Sequence, residues 1–288
     1  MKLLDLPINL LEDIICKIND TDSYKNLRVS CKNFYKLMPF VKTFYKNKNV
    51  KAVFKFKDSQ PVNDHIYYFA NKNIKKVFNY RYGKLNGEYK IYYFNGNIKL
   101  KGYYLNNKKH KNHTKYFFDG GEEYSENYLC GLRHGTNKYY YKNGNLNYIV
   151  NYKANRYHGE LICYYTNGQE YIVINYKNNL MDGEYKKYTH DGFLISSLNY
   201  KNGLLDGELR LYGENHMLLY NITYKQDKRD GCYFTFYNNG NIKKSCFYKN
   251  DILQGSYKIF YINGNLIIDS FYKNGYLNDK YCLFKKNG

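Results

Sequence analysis

A tyrosine returns every twenty-four residues along most of this chain, at Tyr80, Tyr104, Tyr128, Tyr152, Tyr176, Tyr200, Tyr224, Tyr248 and Tyr272. One step earlier the place is taken by Phe56. A second column is aromatic throughout: Tyr92, Tyr116, Tyr140, Tyr164, Tyr188, Tyr212, Phe236, Phe260 and Phe284, with Tyr68 extending it upstream. A third column is glycine at 87, 135, 159, 183, 207, 231 and 255, interrupted by Lys111 and Asp279. A fixed period without insertions excludes a globular centre. Each unit must bury its apolar side chains against its neighbours, so stability is roughly a sum of nearest-neighbour terms.

The pattern inside one unit selects β-structure. In Leu218, Tyr220, Ile222 and Tyr224, and again in Leu146, Tyr148, Val150 and Tyr152, apolar residues alternate with polar ones. Period two with one apolar face describes a sheet that is half buried and half wet. Asn95-Gly96, Asn143-Gly144, Asn167-Gly168, Asp191-Gly192 and Asn263-Gly264 are predicted to be two-residue type I′ hairpin turns, because Asn, Asp and Gly tolerate positive φ. Each unit then reads as a β-hairpin, and a longer connection such as YKNGLLDG leads to the next. The column before the glycine (Asn86, His110, His134, His158, Asp182, Asp206, Asp230, Gln254, Asn278) reads as a list of turn residues. Its three histidines are expected about one repeat rise apart, ~10 Å, too far to share one zinc ion.

Residues 1–50 lie outside the period. Pro7 suits a first helical turn, and Leu10, Leu11, Ile14 and Ile15 recur at helical spacing. Asp20, Thr21 and Asp22 supply a break and caps for a second helix. So small a helical module needs a partner or the first repeats to dock on.

Of the 288 residues, 45 are Lys or Arg and 25 are Asp or Glu, a formal net charge of +20. That balance favours anionic partners. A genome rich in AT codons would also supply Lys, Asn, Tyr and Ile together, with no binding role. Lys153, Lys177, Lys201, Lys225, Lys249 and Lys273 each follow the repeat tyrosine and form a candidate anionic-surface stripe. A solvated edge that resists strand addition is the competing reading. The seven cysteines form no CxxC pair and share no column, which fits a reducing, cytoplasmic setting. No apolar run reaches the ~18 residues of a membrane span. Neither a phosphate loop nor a nucleophile elbow occurs, so no catalysis, cofactor or metal is expected.

Two stretches resemble known families. The segment from Leu4 to Met38, LPINLLEDII followed by LRVSCKNFYKL, resembles the F-box, departing from its usual pattern at Asn9 and Phe34. The resemblance implies that Leu6, Pro7, Leu10, Leu11, Ile14, Val29, Cys31 and Phe34 bind the Skp-type adaptor of a cullin–RING ubiquitin ligase. The competing reading is a helical cap on the array's first edge. Residues 51–288, with GELICYYTNG at 159–168 and YKNGLLDG at 200–207, resemble MORN-variant repeats. They imply about ten units, the first degenerate and the last truncated, in an elongated antiparallel sheet without catalysis. An F-box joined to this repeat resembles proteins of giant DNA viruses of amoebae. The expected fold is thus mainly β, a hairpin repeat array with a small N-terminal α-helical module. The expected function is a ligase substrate receptor holding an unknown target protein; the alternative is a membrane- or surface-associated scaffold. Nucleic acid is the less expected partner.

Overall fold

The computed structural model describes residues 40–58 and 60–285. The eight candidate adaptor-binding residues, Leu6 to Phe34, and the predicted helices lie outside them. No helix occurs among the described residues, and the first strand, Phe40–Phe44, precedes residue 51, where the array was expected to begin. The chain falls into two compact units, Met1–Gly144 and Asn145–Gly288.

In the second unit the strands Leu146–Lys153, Arg156–Tyr164, Glu170–Lys177, Leu180–Tyr188 and Leu194–Lys201 follow one another, each paired antiparallel with the next. The same meander continues through Gly207–Tyr212, Leu218–Lys225, Lys228–Phe236, Ile242–Lys249, Ile252–Phe260, Leu266–Lys273 and Tyr276–Leu283. The first unit repeats the plan from Phe40–Phe44 to Gly135–Tyr140.

The turns are exchanged relative to the sequence reading. The two-residue turns lie after the lysine column, where Asn178 and Asn179 take φ of 53° and 72° and Lys177 pairs with Leu180. Ala154-Asn155, Gln226-Asp227 and Asn250-Asp251 do the same, so these are the type I′ turns. The supposed long connection is itself a tight hairpin. At the Asn-Gly and Asp-Gly sites only the glycine has positive φ, 86° at Gly192, and its N–H donates to the carbonyl of Thr189 at 3.0 Å. That is a four-residue type I turn closed by a left-handed residue. Asn-Gly suits either class, which is why the dipeptide misleads.

The glycine column is not in a turn either. Gly183 lies inside the strand Leu180–Tyr188, where the register slips between Ile174↔Tyr185 and Tyr176↔Met181. Three residues there oppose one, forming a bulge. The bulge is held by an asparagine opposite it: Asn175 Nδ2 donates to the carbonyl of Glu184 at 3.2 Å, and Asn151 Nδ2 to that of Glu160 at 2.9 Å. With φ of +127° at Gly207, a Cβ there would lie 2.8 Å from Asn199 Cβ. Only glycine lets the strands approach so closely.

In the second unit the core is one row crossing the strands. Val150 pairs with Leu161, Leu161 with Ile174, Ile174 with Tyr185, and further along Ile222 with Tyr233, Tyr233 with Cys246 and Cys246 with Tyr257. The period-24 tyrosines flank this row half-buried; Tyr176 meets the Tyr157 ring at 5.2 Å and Tyr248 meets Tyr233 at 5.6 Å. In the first unit the equivalent row is polar, with His65, Tyr89, His113, Glu126 and Asn137 all buried.

Two hydrogen-bond ladders tie successive turns together. At one edge Tyr165 Oη donates to the Tyr188 carbonyl and Tyr237 Oη to that of Phe260. Asn239 and Asn241 both donate to the carbonyl of Ile262 in the following turn. At the type I′ edge the Leu205 and Arg229 N–H groups donate to Asp227 and Asp251.

Candidate functional site

Each lysine of the predicted stripe ends a strand, one residue before a type I′ turn. Lys153 faces Arg156, Lys177 faces Leu180, Lys201 faces Leu204, Lys225 faces Lys228, Lys249 faces Ile252 and Lys273 faces Tyr276. Directly opposed residues project to one side of a sheet. The side is that away from the tyrosine column, because Lys and Tyr are sequence neighbours. All six lysines are exposed. So are Leu180, Leu204, Ile252 and Tyr276, the last 79% accessible. Ammonium groups and bare apolar side chains therefore share one edge. Lys249 is neutralised by Asp230, Nζ to Oδ1 3.0 Å. Among the described residues the other five make no ion pair.

One member of the histidine column, His110, serves the ladder at this edge, whereas His158 Nδ1 is buried with no hydrogen-bond partner among the described residues. His110 Nδ1 accepts the N–H of Cys130 at 3.3 Å, as Asp182 accepts that of Asn202 and Gln254 that of Asn274. At His110, Asp182, Asp230 and Gln254 the column thus supplies a hydrogen-bond acceptor from a strand to the following turn. No group of three or more His, Cys, Asp or Glu fit to hold a metal occurs among the described residues.

Sequence reasoning missed the buried polar cluster of the first unit. Glu126 accepts from Tyr128 Oη at 2.7 Å, Tyr139 Oη at 2.6 Å and Arg133 Nη2 at 2.8 Å. Burial works to raise its pKa, but the two tyrosine hydroxyls, Arg133 and Lys109 outweigh that and hold the carboxyl below its usual range. His113, fully buried, bonds the Tyr103 carbonyl through Nε2 at 2.9 Å and Tyr89 Oη through Nδ1 at 2.9 Å. A carbonyl only accepts, so Nε2 carries the proton and the Tyr89 hydroxyl donates to a neutral ring. Burial and nearby Lys109 push His113 downward. The same burial raises Tyr89. Gly102 is part of this arrangement, since a Cβ there would lie 2.4 Å from His113 Nδ1. The signal was present in the period: 65, 89, 113 and 137 are one column, occupied by Leu161, Tyr185 and Leu209 further along.

No curated protein matches the chain. Among solved structures it is similar to TcdB2-TccC3, at 11% identity over 81% of this chain and 15% of that one, with a TM-score of 0.21. It is also similar to the Photorhabdus luminescens Tc holotoxin pore, at 10% identity over 81% and 15%, with a TM-score of 0.21. The chain spans about 15% of the length of these chains. The MORN repeat variant family matches residues 85–106, 133–154, 157–178, 181–202, 229–250 and 253–274. The copies between them carry the departures, Lys111 in a bulge slot and His216 in a glycine turn slot. The array is built, at these six places, from MORN-variant repeats.

Proposed function

We propose that this chain is a binding platform, the substrate-receptor subunit of a cullin–RING ubiquitin ligase acting in the cytoplasm. Residues 4–38 dock on a Skp-type adaptor through the F-box-like side chains Leu6, Pro7, Leu10, Leu11, Ile14, Val29, Cys31 and Phe34, and the repeats hold a target protein. The combination resembles proteins of giant DNA viruses of amoebae, whose setting is the host cell. The observation that carries the target-binding half is the exposed edge of lysines interleaved with Leu180, Leu204, Ile252 and Tyr276. Apolar side chains left bare beside cations, Lys249 alone of the six being ion-paired among the described residues, suit an acidic protein surface better than water alone.

Co-purification of the adaptor with the full chain tests the reading. Truncating Leu10 and Leu11 to Ala removes apolar contacts of the kind that dominate interfaces, worth about 2–4 kcal/mol, and the adaptor is lost while the β-sheet signal stays. An intact, folded chain that binds no adaptor from its host overturns it.

The same edge favours a second reading, a scaffold on anionic membrane. Each basic residue near such a surface contributes about 1 kcal/mol. Changing Lys177, Lys201 and Lys225 to Gln then reduces retention on anionic vesicles, and added salt weakens the wild type. Equal retention of the two forms removes this reading.

A further inference from the structure

The first unit holds an open cleft of about 470 Å³ whose lining includes Lys90, Lys101, Lys111, Tyr103 and Glu88. Lys90 stands directly opposite Lys101. At the same register in other repeats the pairs are Ile66↔Val77, Thr114↔Ser125, Ile162↔Val173, Lys186↔Ser197, Arg210↔Asn221 and Lys258↔Asp269. A cation at this register in those repeats thus faces a neutral residue or a carboxylate. Like charges directly opposed in a sheet destabilise it.

Lys186 and Arg210 are also closely paired with Glu184 and Glu208, two residues before them. Lys90 and Glu88 are 4.0 Å apart. Lys101 Nζ lies 5.2 Å from the centroid of the Tyr116 ring, and Lys101 makes no ion pair among the described residues.

The third lysine enters against the backbone's preference. Lys111 occupies the bulge slot filled by glycine in seven other repeats and takes φ of +60°. Asn63 also replaces that glycine, at φ of 55°, but asparagine accepts the left-handed region and lysine resists it. The column that carries the bulge-bonding asparagine in five repeats, and Phe247 and Phe271 in two more, holds Tyr103 here, and Tyr103 pairs with His110 beside the bulge. Lys111 Nζ lies 4.7 Å from the centroid of its ring. Three departures from the repeat (opposed lysines, a left-handed lysine and an aromatic in an asparagine column) converge on one cleft. Backbone strain that persists at such a place points to function.

The geometry points to a binding site for an organic phosphomonoester. Three ammoniums against one carboxylate leave an excess of two positive charges, which a phosphate dianion neutralises; lysine is a ready point-charge partner for phosphate. The volume is that of a small-molecule site and exceeds a bare phosphate, leaving room for an organic body beside the Tyr103 ring. Free phosphate esters and a phosphorylated side chain on a partner share this chemistry. The inference does not rest on the ligase reading.

The test is calorimetric titration of the full chain at low salt with phenyl phosphate, and with a phosphotyrosine peptide and its unphosphorylated form. Saturable binding that weakens with salt is expected for both phosphorylated probes, with none for the unphosphorylated peptide. Lys111→Gly restores the repeat's own residue, so the fold survives, with a melting temperature equal to or above wild type, while affinity falls about tenfold or more. Lys101→Gln has the same effect on affinity, and Lys177→Gln has none. A peptide that binds tighter than phenyl phosphate assigns the site to a phosphorylated partner; the reverse order assigns it to a small ester. Absence of saturable binding of either phosphorylated probe, or undiminished binding by both Lys111→Gly and Lys101→Gln, overturns the site.

Discussion

Alanine at Gly207 and alanine at Gly264 are the same chemical change with two different costs. Gly264 has φ of +88° and nothing within 4 Å of a built Cβ. Its penalty is conformational, about 1–2 kcal/mol. Gly207 has φ of +127°, outside the left-handed well, and its Cβ meets Asn199 Cβ at 2.8 Å. The φ alone costs about 1–3 kcal/mol. The contact is about 1 Å inside the usual separation of carbon atoms. Because Asn199 Cβ is fixed by its own backbone, no rotamer relieves it, and the strands must part at a cost of about 1–3 kcal/mol. Gly207→Ala therefore costs about 2–6 kcal/mol in all. At about 2–4 °C per kcal/mol for a unit of this size, the melting temperature falls roughly 10 °C, against roughly 4 °C for Gly264→Ala.

Far-UV circular dichroism melts give these shifts. Hydrogen exchange locates the Gly207 loss in Leu194–Lys201 and Gly207–Tyr212, the two strands that carry Asn199 and Gly207. Removing the opposing Cβ with Asn199→Gly provides a cycle, in which the double variant recovers about 1–3 kcal/mol relative to additivity. Equal shifts at the two glycines, together with a cycle that closes additively, refute the idea that the bulge column is glycine because of the strand facing it.

The acid response of the first unit follows from its buried polar row. Below about pH 6.5 the unfolded chain protonates histidine, whereas burial holds the folded pKa of His113 lower. Stability therefore rises with pH up to that point and is lost as pH falls through the window below it. His113→Asn flattens melting temperature against pH between about 7 and 5, and His65, also lowered by burial, leaves a smaller slope. A slope unchanged by the substitution removes His113 as the cause. The Glu126 carboxyl is depressed, so its contribution is present above about pH 4.3 and lost as pH falls through its folded pKa. Glu126→Gln takes the charged acceptor from Tyr128, Tyr139 and the part-exposed Arg133 and costs about 1.5–3 kcal/mol at neutral pH, seen as a lower denaturant midpoint; a shift under 1 kcal/mol defeats this. Asp182→Ala removes the acceptor of the Asn202 N–H and costs about 1 kcal/mol, with faster exchange of that amide as the readout.

Much of this was legible from periodicity alone. The tyrosine column, the alternation around Ile222 and the antiparallel pairing are set by local spacing, and the structure follows them. The turn classes were not legible, because Asn-Gly satisfies both a two-residue turn with two positive φ values and a four-residue turn with one. What separates them is the hydrogen bond from Gly192 to Thr189, a geometric fact with no residue signature. Gly183 read as a turn residue because Asp-Gly commonly is one; a glycine demanded by Asn175 on the adjacent strand looks the same in a single chain. The lysine column was visible, but its neighbours Leu180 and Ile252 gained meaning only once pairing placed them opposite Lys177 and Lys249. The pairing of His113 with Glu126 was not legible because neither sits in the tyrosine or glycine columns and the two meet only across the sheet.

The two ladders carry a consequence for how such a chain changes length. Asn239 reaches the carbonyl of Ile262, twenty-three residues on, and Arg229 reaches Asp251, twenty-two on. A donor and its acceptor thus sit at fixed offsets belonging to different copies. Adding or deleting one residue in a strand shifts every side chain beyond it to the other face and breaks the bonds on both edges at once. Adding or deleting twenty-four restores every offset and every face. Such a gene tolerates growth or shortening in whole copies and punishes anything between, so related arrays are expected to differ in length by multiples of the period while keeping each copy's internal spacing intact.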